Sequence, residues 1–183
     1  MEQKSALLVM DMQMGILPNY PNVDVLVKNV SQAIAMARTK GIPVMYVTLN
    51  FRPGAPEISS NNKGFASRGR ERFTAEFLKN FSEIHPSLAP REDDILITKR
   101  RVSAFTGSDL EVVLRSQGIN HLILCGVSTS GIVLSTTREA ADKDYKITIL
   151  SDCCGDSDEE VHKVLTEKVF PRQAEVVSIQ DWK

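Results

Sequence analysis

Long apolar runs are missing from this sequence. Stretches such as 147–150 fall far short of the roughly 20 residues that cross a bilayer, so no membrane span is expected. Charge of one sign is missing too. The 22 Lys and Arg against 23 Asp and Glu leave a net charge of -1. That balance gives no basic face for nucleic acid to bind. Cysteine is scarce and odd in number: Cys125, Cys153 and Cys154. The adjacent pair is poorly placed to bridge itself, and reduced thiols suit a cytoplasmic protein. The opening Met-Glu-Gln-Lys-Ser has no basic stretch followed by a long apolar one, so no secretory leader is expected. Histidine is equally sparse. His85, His121 and His162 stand apart, without the spacing of metal ligands. Structural roles are expected for all three, and neither a metal nor a cofactor is expected.

What is present reads as one globular domain over residues 1–183, 42% hydrophobic and 25% charged, long enough for a full core. Short apolar runs alternate with amphipathic stretches. Strands are expected at 6–10, 44–49, 95–98, 121–125, 146–150 and 175–178. Val23, Leu26, Val27, Val30, Ile34 and Ala37 recur at helical spacing, with Asn22 as cap and Gly41 and Pro43 as stop. Further helices are expected over 73–81, from a Ser108/Glu111 capping box to Gly118, over 130–143, and from a Ser157/Glu160 capping box to Val169. The polar segment 50–72 is too long for an ordinary connection and suggests a lid or an interface arm. Alternating strands and helices imply right-handed βαβ units and a parallel α/β sheet. Ligands bind such sheets beyond the carboxyl ends of the strands, at a topological switch point.

Several polar residues fall at those ends. Asp11 follows five apolar residues, and a buried carboxylate needs a partner. Lys99 holds the equivalent place after the third strand and can supply one. The alternative is a turn-capping aspartate and a surface lysine. Ser128, Thr129 and Ser130 follow Gly126, where hydroxyls either bind substrate or cap the next helix.

The residues around these positions carry a resemblance. Leu7-Leu8-Val9-Met10-Asp11-Met12-Gln13, Lys99-Arg100-Arg101-Val102-Ser103-Ala104-Phe105 and Cys125-Gly126-Val127-Ser128-Thr129-Ser130-Gly131-Ile132 resemble, in order and spacing, three motifs of the isochorismatase-like (cysteine hydrolase) family. The resemblance implies a three-layer, doubly wound, six-stranded parallel sheet in the order 3-2-1-4-5-6. It implies Asp11 as acid/base with Lys99 beside it. It also implies a substrate and oxyanion pocket drawn from Val127, Ser128, Thr129, Phe105 and Gln13, with a cis peptide at Val127-Ser128. A small-molecule substrate and a homodimer or homotetramer go with it.

In that family the nucleophilic cysteine lies six residues after the glycine of the third motif. Here the matching residue is Ile132, which has no group to attack a carbonyl. Isochorismatases that cleave a vinyl ether carry glycine there and work by proton transfer, without a covalent step; Ile132 is bulkier and narrows the pocket. The metal site of the nicotinamidase branch needs Asp and His after the second strand, and Thr48-Leu49-Asn50-Phe51-Arg52-Pro53-Gly54 has neither. Two readings follow: a hydrolase relying on Asp11 and Lys99, or an inactive relative serving as a binding or scaffold protein.

Other residues stay open at this level. Cys125 suits a buried apolar place, whereas Cys153 and Cys154 could reach the cleft rim as substitute nucleophiles. Arg68, Arg70 and Arg72, with Arg52 and Arg101, form either a solvated face or a site for an anion or a neighbouring subunit. Phe51, Phe65 and Phe105 either wall a pocket or belong to the core.

Overall fold

Six strands form one parallel sheet in the order β3-β2-β1-β4-β5-β6, as the family resemblance implies. They are β1 (Ser5–Met10), β2 (Val44–Leu49), β3 (Ile95–Lys99), β4 (His121–Val127), β5 (Lys146–Gly155) and β6 (Glu175–Val177). The computed structural model describes residues 3–88 and 90–183; Met1 and Glu2 of the leader reading lie outside them. All seven residues of β4 are buried, because helices cover both faces and no strand position meets water.

One face carries α1 (Val23–Thr39), which lays Leu26, Val27, Val30, Ala33, Ile34 and Ala37 against Leu7, Val9, Val44 and Ile123. The other carries α4 (Leu110–Ser116) and α5 (Leu134–Asp142), packed on Leu8, Met10, Met45 and Ile97. A third cluster stands beyond the carboxyl end of β2. There Phe51, Ala55, Ile58, Phe65 and Phe73 gather with Leu78 and Phe81 of α3 (Ala75–Ser82). The segment 50–72 is therefore folded around its own apolar residues, with α2 (Lys63–Ala66) inside it. The last helix, α6 (Glu159–Val164), has no fully buried side chain.

Several local expectations are corrected. Asn22 precedes α1 but adopts φ 55 and makes no side-chain cap; only its carbonyl accepts, from Val25 and Leu26. Asparagine tolerates that left-handed turn, and the turn carries its side chain away from the helix amides. Neither capping box forms. Ser108 bonds Ala104 O and Leu110 N, while Glu111 pairs with Lys143 at 2.7 Å. Asp158, not Ser157, caps α6 by accepting from Glu160 N and Val161 N. A carboxylate accepts from orphan amides more strongly than a hydroxyl does. The helix expected over 130–143 opens with a wider π turn, Thr129–Val133. β5 runs five residues past Leu150, beyond a shift in its register against β4 between Leu124 and Gly126.

Gly126 is required where it stands. Its φ is 127, and a Cβ there would lie 2.0 Å from the carbonyl oxygen of Met10. Only glycine lets β4 run this close to β1 just before the turn.

Candidate active site

The chain winds from β1 outward to β2 and β3, then returns to place β4 on the other side of β1. This reversal opens a crevice at the carboxyl ends of β1 and β4. Asp11 is the first residue past β1, at φ 54, with its amide bonded to Val47 O at 2.8 Å. Lys99 ends β3, two strands away, in register with Leu49 of β2. Its long side chain reaches back over β2, so that Nζ lies 3.0 Å from Asp11 Oδ2.

Both residues are almost wholly buried, Asp11 at 6% and Lys99 at 1% exposed. Lys99 Nζ also donates to Arg101 O at 2.9 Å. The second oxygen of Asp11, Oδ1, is buried and has no partner among the described residues. Burial pushes the Asp11 carboxyl up to about 6, against the pull of the adjacent Lys99 charge. One oxygen is thus held by a cation, and the other is buried without a partner among the described residues.

A cleft of about 700 Å³ opens over this pair. Val127, Ser128, Gly131 and Ile132 form one wall. The Val127-Ser128 peptide is cis, as the resemblance implies. Ser128 Oγ fills the space that a side chain at position 131 would need, 2.4 Å from where its Cβ would fall. Ile132 is 1% exposed and borders the cleft. Phe65, Phe73, Phe77 and Phe81 make an aromatic wall opposite, with Phe77 and Phe81 stacked at 5.5 Å. Tyr20 closes one side. Burial raises its phenol above the ordinary value, while Ser128 pulls it down.

Three of the expected substrate contacts are not in the cleft. Gln13 is fully buried and acts as a clamp. Its Oε1 accepts from Leu49 N at 2.7 Å, and its Nε2 donates to Leu49 O at 3.0 Å and Phe81 O at 3.1 Å. Those bonds satisfy backbone groups where β2 leaves the sheet. Thr129 turns inward to His162 Nδ1 at 2.8 Å, which ties the turn to α6. Phe105 packs in the core beside Tyr145, its ring centroid 5.9 Å away. An apolar ring gains more from burial against α4 and α5 than from a partly hydrated cleft.

The arginines divide. Arg68 and Arg72 line the cleft, with Arg72 over the Phe77 ring at 5.2 Å. Arg70 donates to Ala55 O and Pro56 O, Arg52 pairs with Glu57 at 2.6 Å, and Arg101 donates to Glu57 O. These three hold the 50–72 segment together. Phe51 belongs to that segment's core, in edge contact with Phe65 and Phe73.

The three thiols are buried. Burial raises Cys125 and Cys153 well above the usual thiol range and pushes Cys154 to about 12. None of them borders the cleft. His121, set between Ser5 and Thr148, is pushed down to about 4 by burial. The described residues contain no group of three or more His, Cys, Asp or Glu side chains suited to one metal ion. No helix among them is long and apolar enough to cross a membrane.

Sequence reasoning missed Tyr20 and the Phe73, Phe77 and Phe81 wall. The four-residue spacing of Phe77 and Phe81 was a signal that they share a helix face. Nothing local marked Tyr20.

Comparison with known proteins agrees with this architecture. The Isochorismatase domain model matches residues 5–181. The uncharacterized isochorismatase family protein YecD of Escherichia coli O157:H7 is 33% identical over 181 residues, covering 97% of this chain and 93% of that one. The ureidoacrylate amidohydrolase RutB of Variovorax paradoxus is 31% identical over 169 residues, covering 81% and 67%. The solved structure of an isochorismatase family protein from Burkholderia thailandensis superposes with a TM-score of 0.84 at 26% identity, covering 99% of this chain and 94% of that one. With the sheet order, the crevice and the sequence match in agreement, this chain belongs to the isochorismatase family.

Proposed function

We propose that this protein hydrolyses a small anionic molecule by proton transfer from Asp11, without a covalent enzyme intermediate. The observation that carries this reading is the Asp11 carboxyl. It has one oxygen 3.0 Å from Lys99 and the other without a partner among the described residues, and burial raises its pKa to about 6. A carboxyl with that affinity holds and releases its proton near neutrality, as general acid and base catalysis requires.

In the acid form, Asp11 protonates the substrate. Water then adds to the activated centre, and the carboxylate, held by Lys99, takes a proton back; the neutral adduct breaks its C–O or C–N bond, and the departing oxygen or nitrogen leaves with the proton of the newly added hydroxyl. The Ser128 amide and hydroxyl border the place where an oxygen develops charge. Ile132 stands where the family resemblance puts the attacking thiol, and no cysteine borders the cleft. This favours direct attack by water over a thioester route. Arg68 and Arg72 supply positive charge beside the aromatic wall, a setting for a carboxylate on an apolar body. The name of the RutB relative, a ureidoacrylate amidohydrolase, supports including amides among the bonds tested.

The test is a panel of carboxylate-bearing amides, ureides and enol ethers, assayed with the wild type and with Asp11→Asn. Turnover by the wild type that drops at least about 100-fold in Asp11→Asn supports the reading. Turnover that survives the substitution refutes it. Saturable binding with no turnover for any of the panel favours the second reading, a binding protein, to which the apolar Ile132 already points.

A further inference from the structure

A second cavity, of about 460 Å³, lies on the α1 face of the sheet and shares no lining residue with the Asp11 cleft. Its walls are α1, Tyr46 of β2, and the segment that leads into β3. We infer that it is a binding site for a compact oxyanion, a phosphate or carboxylate group, held by Tyr46, Arg38 and Arg91.

Two donors are buried at this cavity. Tyr46 is 1% exposed, yet its hydroxyl has no hydrogen-bond partner among the described residues, and neither has Arg38 Nε. A buried donor without an acceptor is unfavourable, and native structures seldom leave two side by side. Their arrangement is fixed from behind. Arg38 Nη2 lies 2.5 Å from Asp94 Oδ2, and the same oxygen accepts from Arg91 N at 2.8 Å. Asp94 therefore occupies Nη2 of the guanidinium, while Nε has no partner among the described residues.

The remaining groups set the chemistry of the ligand. Burial, followed by the nearby Asp94 carboxylate, pushes the Tyr46 phenol up to about 12, so it is an O–H donor at any working pH. The Arg91 guanidinium also lines the cavity and has no ion-pair partner among the described residues. Ser31 and Ser87 add hydroxyls at the rim, whereas the Thr39 hydroxyl is already spent on Ala35 O. No carboxylate lines the cavity. Two guanidinium groups and a phenol thus face one space, and the acceptor beside it among the described residues, the Asp94 carboxylate, is already engaged by Arg38 Nη2 and Arg91 N. A neutral apolar guest would leave every donor unmade, and a cation would be repelled. An oxyanion with several lone pairs satisfies all three.

Titration calorimetry on the full chain, at constant ionic strength, tests this with inorganic phosphate in one arm and acetate or succinate in the other. Wild type, Tyr46→Phe, Arg91→Gln and Arg68→Gln are compared. Tyr46→Phe removes only an oxygen without a partner among the described residues, and Arg91 is exposed, so both variants should fold. Saturable one-site binding in either arm, weakened at least about 5-fold by both Tyr46→Phe and Arg91→Gln and unchanged by Arg68→Gln, supports the site. The arm in which it occurs identifies the oxyanion as phosphate or carboxylate. Absence of saturable binding in both arms overturns the inference. So does binding that ignores Tyr46→Phe and Arg91→Gln, or that disappears with Arg68→Gln.

Discussion

Replacing Lys99 with methionine should make the stability of this protein fall with pH in a range where the native protein is flat. The Asp11 carboxyl is raised from 3.8 to about 6 by burial, even with Lys99 Nζ at 3.0 Å. An acid whose folded pKa is raised binds its proton more tightly when folded. Its contribution to stability is complete below the unfolded value and is lost as pH climbs to the folded one. In the native protein this loss, on the order of 3 kcal/mol, ends near pH 6.

Lys99 sets that limit. At 3.0 Å and an effective dielectric of about 20, its attraction for the carboxylate is worth about 5 kcal/mol. Without it, burial acts alone, and the Asp11 pKa moves above about 8. The variant then loses about 1.4 kcal/mol for each further pH unit. Relative to wild type, its stability falls by about 3 kcal/mol between pH 6 and pH 8. The lost bond to Arg101 O adds an offset that does not change with pH. Guanidinium melts of both proteins at pH 6, 7 and 8 provide the measurement, and the difference between the curves cancels every other titrating group. Parallel pH dependences would show that Lys99 does not govern Asp11, and the proposed acid/base pair would fail with them.

Three further substitutions probe the frame of the site. Gln13→Ala strips Leu49 N, Leu49 O and Phe81 O of their buried partner and should cost about 3 kcal/mol in chemical denaturation; a loss under 1 kcal/mol would mean that the clamp is not needed. Gly126→Ala puts a methyl against the Met10 carbonyl oxygen and should cost more than about 4 kcal/mol or abolish soluble expression, so a near-neutral melt would contradict the close approach of β1 and β4. Ile132→Cys places a thiol beside the cleft at a cost of about 1–2 kcal/mol. It should be alkylated by iodoacetamide much faster than the three native thiols and should gain amidase turnover. Labelling as slow as that of buried Cys125 would place position 132 away from the cleft.

The strands and most helices were legible because their signals are local. Five consecutive apolar residues end at Asp11, and α1 repeats its apolar residues every three or four positions. The caps were less legible, since Ser157 and Asp158 are near-equivalent candidates in sequence, and the pairing of Glu111 with distant Lys143 is not visible there. Motif position placed Gln13, Thr129 and Phe105 at the site, but each turns its side chain toward backbone, a histidine or the core. A motif records which residue stands at a position, not which way its side chain points. The two cleft arginines could not be told from the three that brace the 50–72 segment, because nothing in their neighbouring residues distinguishes them; Arg68 and Arg70 flank the same Gly69 yet part in the fold.

Hydrophobic period and turn chemistry alone determined a parallel α/β sheet with polar residues at its carboxyl edge, and the third motif, by resemblance, marked isoleucine at position 132. Both are properties of neighbouring residues, so the order of residues is enough to read them. The meeting of Asp11 with Lys99 across β2 was decided only in three dimensions, as were the unpaired oxygen, the value near 6 and the pair of idle donors on the α1 face. They depend on burial and on distances between groups far apart in the chain, and those quantities exist only once the chain is packed.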